Sequence, residues 1–157
     1  LSTALIQNSR FEQMHRGNAS LDLPEYREPL PLSIRDRSAN YARSYGLESF
    51  WKANAEGIQQ SVDHALDDAG ITHAGAWSVP HFGETLLHRQ CLEPLGLDPM
   101  ETTVQFGLQI GHTGAADPLL GLQYLRNQSA ITPGDHIALI GIGAGFTWGC
   151  TILRYLG

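Results

Sequence analysis

Three glycines at alternate positions, Gly141, Gly143 and Gly145, run into Phe146-Thr147-Trp148-Gly149 and carry the clearest chemical potential in this chain. Without a Cβ, glycine lets the backbone approach another group closely and allows positive φ. The run follows the apolar segment Ile137-Ala138-Leu139-Ile140 and leads into a β-rich segment from Phe146 to Tyr155. A strand, a glycine turn and a second strand would set bare N–H groups at a sheet end, where they can hold a ligand oxygen. The same spacing also suits a tight hairpin with packing glycines. His81 is the second candidate, just after Val79-Pro80 at the C-terminal end of a short apolar segment. Catalytic groups in open α/β sheets gather at strand C-termini, although a lone histidine there also reads as a structural one. No nucleophile stands out. Cys91 falls in a helical pattern beside Leu92 and reads as a small buried hydrophobe, and Cys150 takes a strand position. His81 and His88 are seven apart, but no carboxylate or cysteine spacing completes a metal site.

The elements that must position these residues alternate. Leu1 to Gln7 reads as a strand. Residues 8–40 are polar, broken by Pro24, Pro29 and Pro31, and are expected to form a long irregular loop on the substrate side. Leu47, Phe50, Trp51, Ile58, Val62, Ala65, Leu66 and Ala69 recur at helical spacing, with Gly57 marking close packing or a bend and Gly70 ending the helix. Ala76 to Val79 predicts a short strand, Glu84 to Leu95 a helix, Thr102 to Phe106 a strand, and Ala115 to Gln128 a helix with Pro118 in its first turn. Two final strands close the chain. This order predicts an α/β layered sheet of five strands.

Composition narrows the function. Acidic residues outnumber basic ones 16 to 10 and the basic residues form no block, which argues against a nucleic-acid partner. No run of 18 apolar residues and no signal-peptide layout is present, so no membrane partner and a cytoplasmic location are expected. The chain opens on Leu1-Ser2-Thr3-Ala4-Leu5-Ile6, already in a strand pattern. We expect it to be the C-terminal part of something longer.

The glycine run with Phe146-Thr147-Trp148-Gly149 resembles the C-terminal signature of β-ketoacyl-acyl carrier protein synthase III, the thiolase-fold enzymes that load acyl groups from coenzyme A. Trp77-Ser78-Val79-Pro80-His81 is similar to the segment carrying that family's catalytic histidine, although its usual His-Gln-Ala-Asn is His81-Phe82-Gly83-Glu84 here. The segment from Ile110 to Asp117 is similar to the family's Gly-Asn-Thr-Ser-Ala-Ala-Ser, with His112 at the asparagine and Asp117 at the last serine. An imidazole there can take a proton from a nucleophile when a carboxylate fixes its tautomer. Asp117 equally suits a helix N-terminus, where an acid is worth about 0.3–1 kcal/mol. The His-for-Asn pattern resembles the branch of polyketide and related natural-product pathways that transfers or selects acyl starter units with a Ser or Cys, His and Asp triad.

The resemblance implies the C-terminal half of a thiolase-like fold, residues 1–157, with the N-terminal half and its Ser or Cys nucleophile absent from this chain. It implies an acyltransferase in which His112, oriented by Asp117, is the general base, His81 belongs to the catalytic group, and the backbone N–H of Ala144 is an oxyanion donor worth about 3–4 kcal/mol in the transition state. Coenzyme A or acyl carrier protein would bring the acyl group as a thioester substrate, with no resident cofactor or metal. The N-terminal half of the fold and a second subunit, as a homodimer, are the implied partners. Two alternatives stay open: a decarboxylative condensing enzyme and a non-catalytic half-subunit.

Overall fold

The computed structural model describes residues 1–16 and 33–157. Its centre is a four-stranded mixed sheet of β1 (Ser2–Gln7), β2 (Ala76–Ser78), β3 (His136–Gly143) and β4 (Thr147–Arg154), in the order β1-β4-β3-β2. β4 runs antiparallel to β1 and β3, and β2 lies parallel to β3. The helices are α1 (Gln13–Arg16), α2 (Ile34–Tyr45), α3 (Glu48–Ala69), α4 (Glu84–Leu87), α5 (Glu93–Leu95), α6 (Val104–Ile110) and α7 (Asp117–Asn127). A π-helical turn, His88–Leu92, joins α4 to α5, so the helix expected from 84 to 95 is continuous with one widened turn. No helix among the described residues is long and apolar enough to cross a membrane.

Two expectations need correction. The predicted fifth strand, Thr102 to Phe106, is a single bridge between Thr102 and Trp77. Thr103 donates its N–H to the Trp77 carbonyl at 3.0 Å, and its hydroxyl accepts the Val79 N–H at 3.1 Å. A side chain thereby takes the place of the next ladder bond, and α6 begins at Val104. The run of β-branched residues carries strand propensity, but tertiary contacts override it. The loop predicted over 8–40 is also partly regular: a 3-10 turn at Ser9–Phe11, then α1, and α2 from Ile34. Ser33 caps α2 by accepting the Asp36 N–H at 3.1 Å. Pro24, Pro29 and Pro31 lie outside the described residues, upstream of that cap.

α3 covers one face of the sheet. Phe50, Ile58, Val62 and Ala65 form one buried cluster with Ala138, Ile140, Trp148, Cys150 and Ile152. Each large apolar side chain buried this way contributes about 1.5–3 kcal/mol. Gly57 lies directly against the Trp148 ring, where a Cβ would come within 2.4 Å. The alternate residues of β3 face the other way. Ile137 packs with Ala76, Ile131 and Leu125 of α7, so α7 covers β2 and β3 on the second face. Among the described residues no helix covers β1 and β4 on that face, where Leu5 is 69 % exposed. Gly141 and Gly143 fall on the same face as Ile137 by the two-residue period of the strand, and they leave its floor without side chains.

Candidate active site

Asp117, the first residue of α7, is buried to 1 % exposure and gathers four donors. One oxygen, Oδ1, accepts the Thr113 N–H at 2.7 Å and the Thr113 hydroxyl at 2.6 Å. The other, Oδ2, accepts the His81 N–H at 2.7 Å and meets His112 Nδ1 at 2.6 Å. Burial alone would raise the Asp117 carboxyl. The hydrogen bonds from the Thr113 hydroxyl, the His81 and Thr113 N–H groups and the His112 ring overcome that and bring its pKa from 3.8 down to about 2. Asp117 is therefore ionised at neutral pH and accepts only, so His112 Nδ1 carries the shared proton. In the neutral form of the ring, a proton on Nδ1 leaves the lone pair on His112 Nε2.

Local geometry explains how His112 reaches Asp117. Gly111 ends α6 with φ of 79° and Gly114 turns the chain again with φ of 77°, a conformation that favours glycine. Between them His112 and Thr113 fold back onto the start of α7. The His112 ring is 51 % exposed, and its centroid lies 5.0 Å from that of Phe82, edge to face.

His81 is placed differently. Its ring is fully buried, with Nδ1 at 3.5 Å from Asp117 Oδ1, and neither ring nitrogen has a hydrogen-bond partner among the described residues. Burial lowers its pKa, while the Asp117 charge works in the opposite direction and the nearby His112 adds to the lowering. Gly107 of α6 packs so closely on this ring that a Cβ would lie 2.8 Å from His81 Cδ2, and Phe106 meets the ring edge-on at 5.5 Å.

Ala144 is exposed, one residue past the last ladder pair, Gly143 with Thr147. Its turn is anchored at Phe146, which exchanges two backbone hydrogen bonds of 2.9 Å with Asn8 and buries its ring against Phe50. A cleft of about 460 Å³ brings His112, Phe82, Leu5, Gly141, Gly143 and Ala144 to one wall-and-floor arrangement, with Asp117 behind His112. His112, Asp117 and Ala144 thus share one site, whereas the His81 ring stands behind it. The glycines foreseen as a turn mostly lie in β3 and form the cleft floor. Thr113 is not singled out by the sequence reading; its signals are a hydroxyl four residues before an acid at a helix start and the threonine that the similar motif carries at this position. The two cysteines are remote from this chemistry. Burial pushes both thiols up to about 12, helped at Cys91 by the neighbouring Cys150. Among the described residues no three His, Cys, Asp or Glu side chains are grouped to hold a metal ion.

Comparison with known proteins follows the same lines. Residues 66–155 match the family described as 3-oxoacyl-[acyl-carrier-protein (ACP)] synthase III C terminal. A β-ketoacyl-[acyl-carrier-protein] synthase III of Ruegeria pomeroyi is 30 % identical over 146 residues, which cover 89 % of this chain and 45 % of that protein. The solved structure of ChlB3, an acyltransferase, superposes with a TM-score of 0.81 at 28 % identity over 99 % of this chain and 45 % of its own. The 3-oxoacyl-(acyl carrier protein) synthase III of Pseudomonas aeruginosa, at 21 % identity, covers 100 % of this chain and 44 % of its own with a TM-score of 0.67, and so shares the fold. The chain spans less than half the length of these relatives.

Proposed function

The chain belongs to the 3-oxoacyl-[acyl-carrier-protein] synthase III C-terminal family, and on that premise we propose that it supplies the general base and oxyanion site of an acyltransferase. One observation carries this reading: His112 Nδ1 sits 2.6 Å from the buried Asp117 carboxylate while the ring is half exposed at the cleft. A carboxylate–imidazole pair of this kind removes a proton from a hydroxyl or thiol nucleophile. The nucleophile is a Ser or Cys of the N-terminal half that the longer relatives carry, since Cys91 and Cys150 are buried with thiols pushed up to about 12.

The proton moves from that nucleophile to His112 Nε2 as its oxygen or sulfur attacks the thioester carbonyl of an acyl-coenzyme A or acyl-carrier protein. The carbonyl becomes an oxyanion, and the Ala144 N–H donates to it. Collapse breaks the carbon–sulfur bond, and the departing thiolate takes the proton back from His112. The acyl group then passes to an acceptor hydroxyl, amine or thiol by the same steps, with His112 again relaying the proton. Asp117 fixes the tautomer and stabilises the imidazolium. His81 joins the machinery through its N–H on Asp117. A dimer of complete subunits and a cytoplasmic setting complete the proposal.

His112→Asn is the direct test. Loss of general-base catalysis costs about 10²–10⁴-fold in rate, and unchanged transfer would overturn the assignment. The ring nitrogens of His81, without a hydrogen-bond partner among the described residues, favour a second reading, decarboxylative condensation, which requires that ring to turn from its buried place behind the cleft toward a thioester carbonyl. Release of carbon dioxide from a malonyl donor separates the two.

A further inference from the structure

The Asp117 carboxylate has an unequal pair of oxygens, and the inequality comes from one residue. Among the described residues the hydrogen bonds to Oδ1 come from Thr113, through both its N–H at 2.7 Å and its hydroxyl at 2.6 Å, with the His81 ring Nδ1 3.5 Å from the same oxygen. Oδ2 is left to the His81 N–H and the His112 ring. The terminal torsion of an aspartate is broad and twofold, so a carboxylate without a clamp turns easily about it. A half-turn only exchanges the two chemically equivalent oxygens, but any smaller turn carries both out of line with their donors and releases the imidazole to its other tautomer.

We infer that Thr113 is a positioning residue of this site: its hydroxyl and N–H together clamp Asp117 Oδ1, fix the plane of the carboxylate so that the other oxygen stays in line with His112, and so keep the His112 proton on Nδ1. The kinetic meaning of the clamp rests on the acyl-transfer reading, but the clamp itself does not. An ionised carboxylate only accepts, so the Thr113 hydroxyl must be the donor in this contact. The same hydroxyl bond is the largest of the influences that lower the Asp117 pKa. Thr113 is itself exposed, and its side chain fills no core space. Its hydroxyl has water as an alternative partner, and the fold gains little from it as packing.

The experiment is nuclear magnetic resonance on the full chain labelled with ¹⁵N and ¹³C, in wild type and in Thr113→Val and Thr113→Ser. Valine keeps the shape and the backbone N–H and removes only the hydroxyl. The side-chain ¹³C signal of Asp117 reports its titration, and the ring ¹⁵N shifts of His112 report its tautomer. In Thr113→Val the Asp117 midpoint rises by about one pH unit, and neutral His112 becomes a mixture of tautomers instead of the Nδ1-protonated form. Thr113→Ser restores both. Thr113→Ala carries the same expectation where the valine variant does not fold. An Asp117 midpoint and a His112 tautomer unchanged by loss of the hydroxyl would overturn the inference, as would a serine variant that fails to restore them. Acyl transfer by the complete enzyme is the second readout, with kcat lowered about tenfold or more in Thr113→Val, KM unchanged, and serine restoring the rate. A clamp present in the spectra alongside transfer that is indifferent to His112→Asn would sink the acyltransferase reading and leave the clamp standing.

Discussion

Replacing Asp117 by Asn keeps the shape of the side chain and removes its charge. The carboxylate accepts four hydrogen bonds, two on each oxygen. An amide offers one accepting oxygen and a donating NH₂. With the oxygen turned to Thr113, the NH₂ faces the His81 N–H; with the oxygen turned to His112, it faces the Thr113 N–H. One backbone donor loses its acceptor in either orientation, at a cost of about 1–3 kcal/mol. The charge gives an independent figure. A carboxyl brought from 3.8 to about 2 on folding contributes about 2 kcal/mol at neutral pH. Its folded pKa lies below the unfolded value, so this stability is fully present above pH 3.8 and is lost as pH falls through about 2. Urea unfolding of wild type and Asp117→Asn across pH 7 to 2 is the assay. The gap between them should be about 2 kcal/mol at pH 7 and should close as the pH approaches the folded pKa. A gap that stays constant across that range, or none at pH 7, refutes the reasoning.

Two further outcomes follow from the packing. Gly57→Ala would place a Cβ 2.4 Å from the Trp148 ring, with α3 and β4 both fixed by the core. Overpacking of about 1–3 kcal/mol should exceed the helix-propensity gain of about 1 kcal/mol, so denaturation should show net destabilisation; a stabilised variant would contradict this close contact. Cys91 and Cys150 are buried, with thiols pushed up to about 12, so a colourimetric thiol reagent at neutral pH should label neither until denaturant is added. Rapid labelling of the folded chain would show that the core around β4 opens.

The apolar spacing of residues 47–69 placed α3 almost to the residue, because a helix with one buried face must repeat that way. The glycines at 141 and 143 drew attention for the right chemical property, the missing Cβ. Their alternation, however, records one face of β3 more than a turn, and only the register with β4 shows this. The false strand at Thr102 came from local propensity, which cannot see Thr103 reaching Val79 across 24 residues. The helix at Ile34 was hidden by prolines that stop short of its cap. At the site, His112 and Asp117 were legible from spacing and from resemblance together. Thr113 was not, since its meaning depends on which way a carboxylate is turned. Nor could the sequence say that the His81 ring would be sealed behind Gly107 and Phe106.

In the proposed reaction this chain supplies the base that loads an acyl group onto a nucleophile located elsewhere. Intact mass of every polypeptide in the native preparation, before and after incubation with a panel of acyl-coenzyme A donors, tests it most directly. The expected result is an acyl mass on the Ser or Cys of the N-terminal half, none on Cys91 or Cys150, and a rate of loading that falls about 10²–10⁴-fold with His112→Asn. An adduct on either cysteine of this chain, or loading that proceeds unchanged without the imidazole, would contradict it.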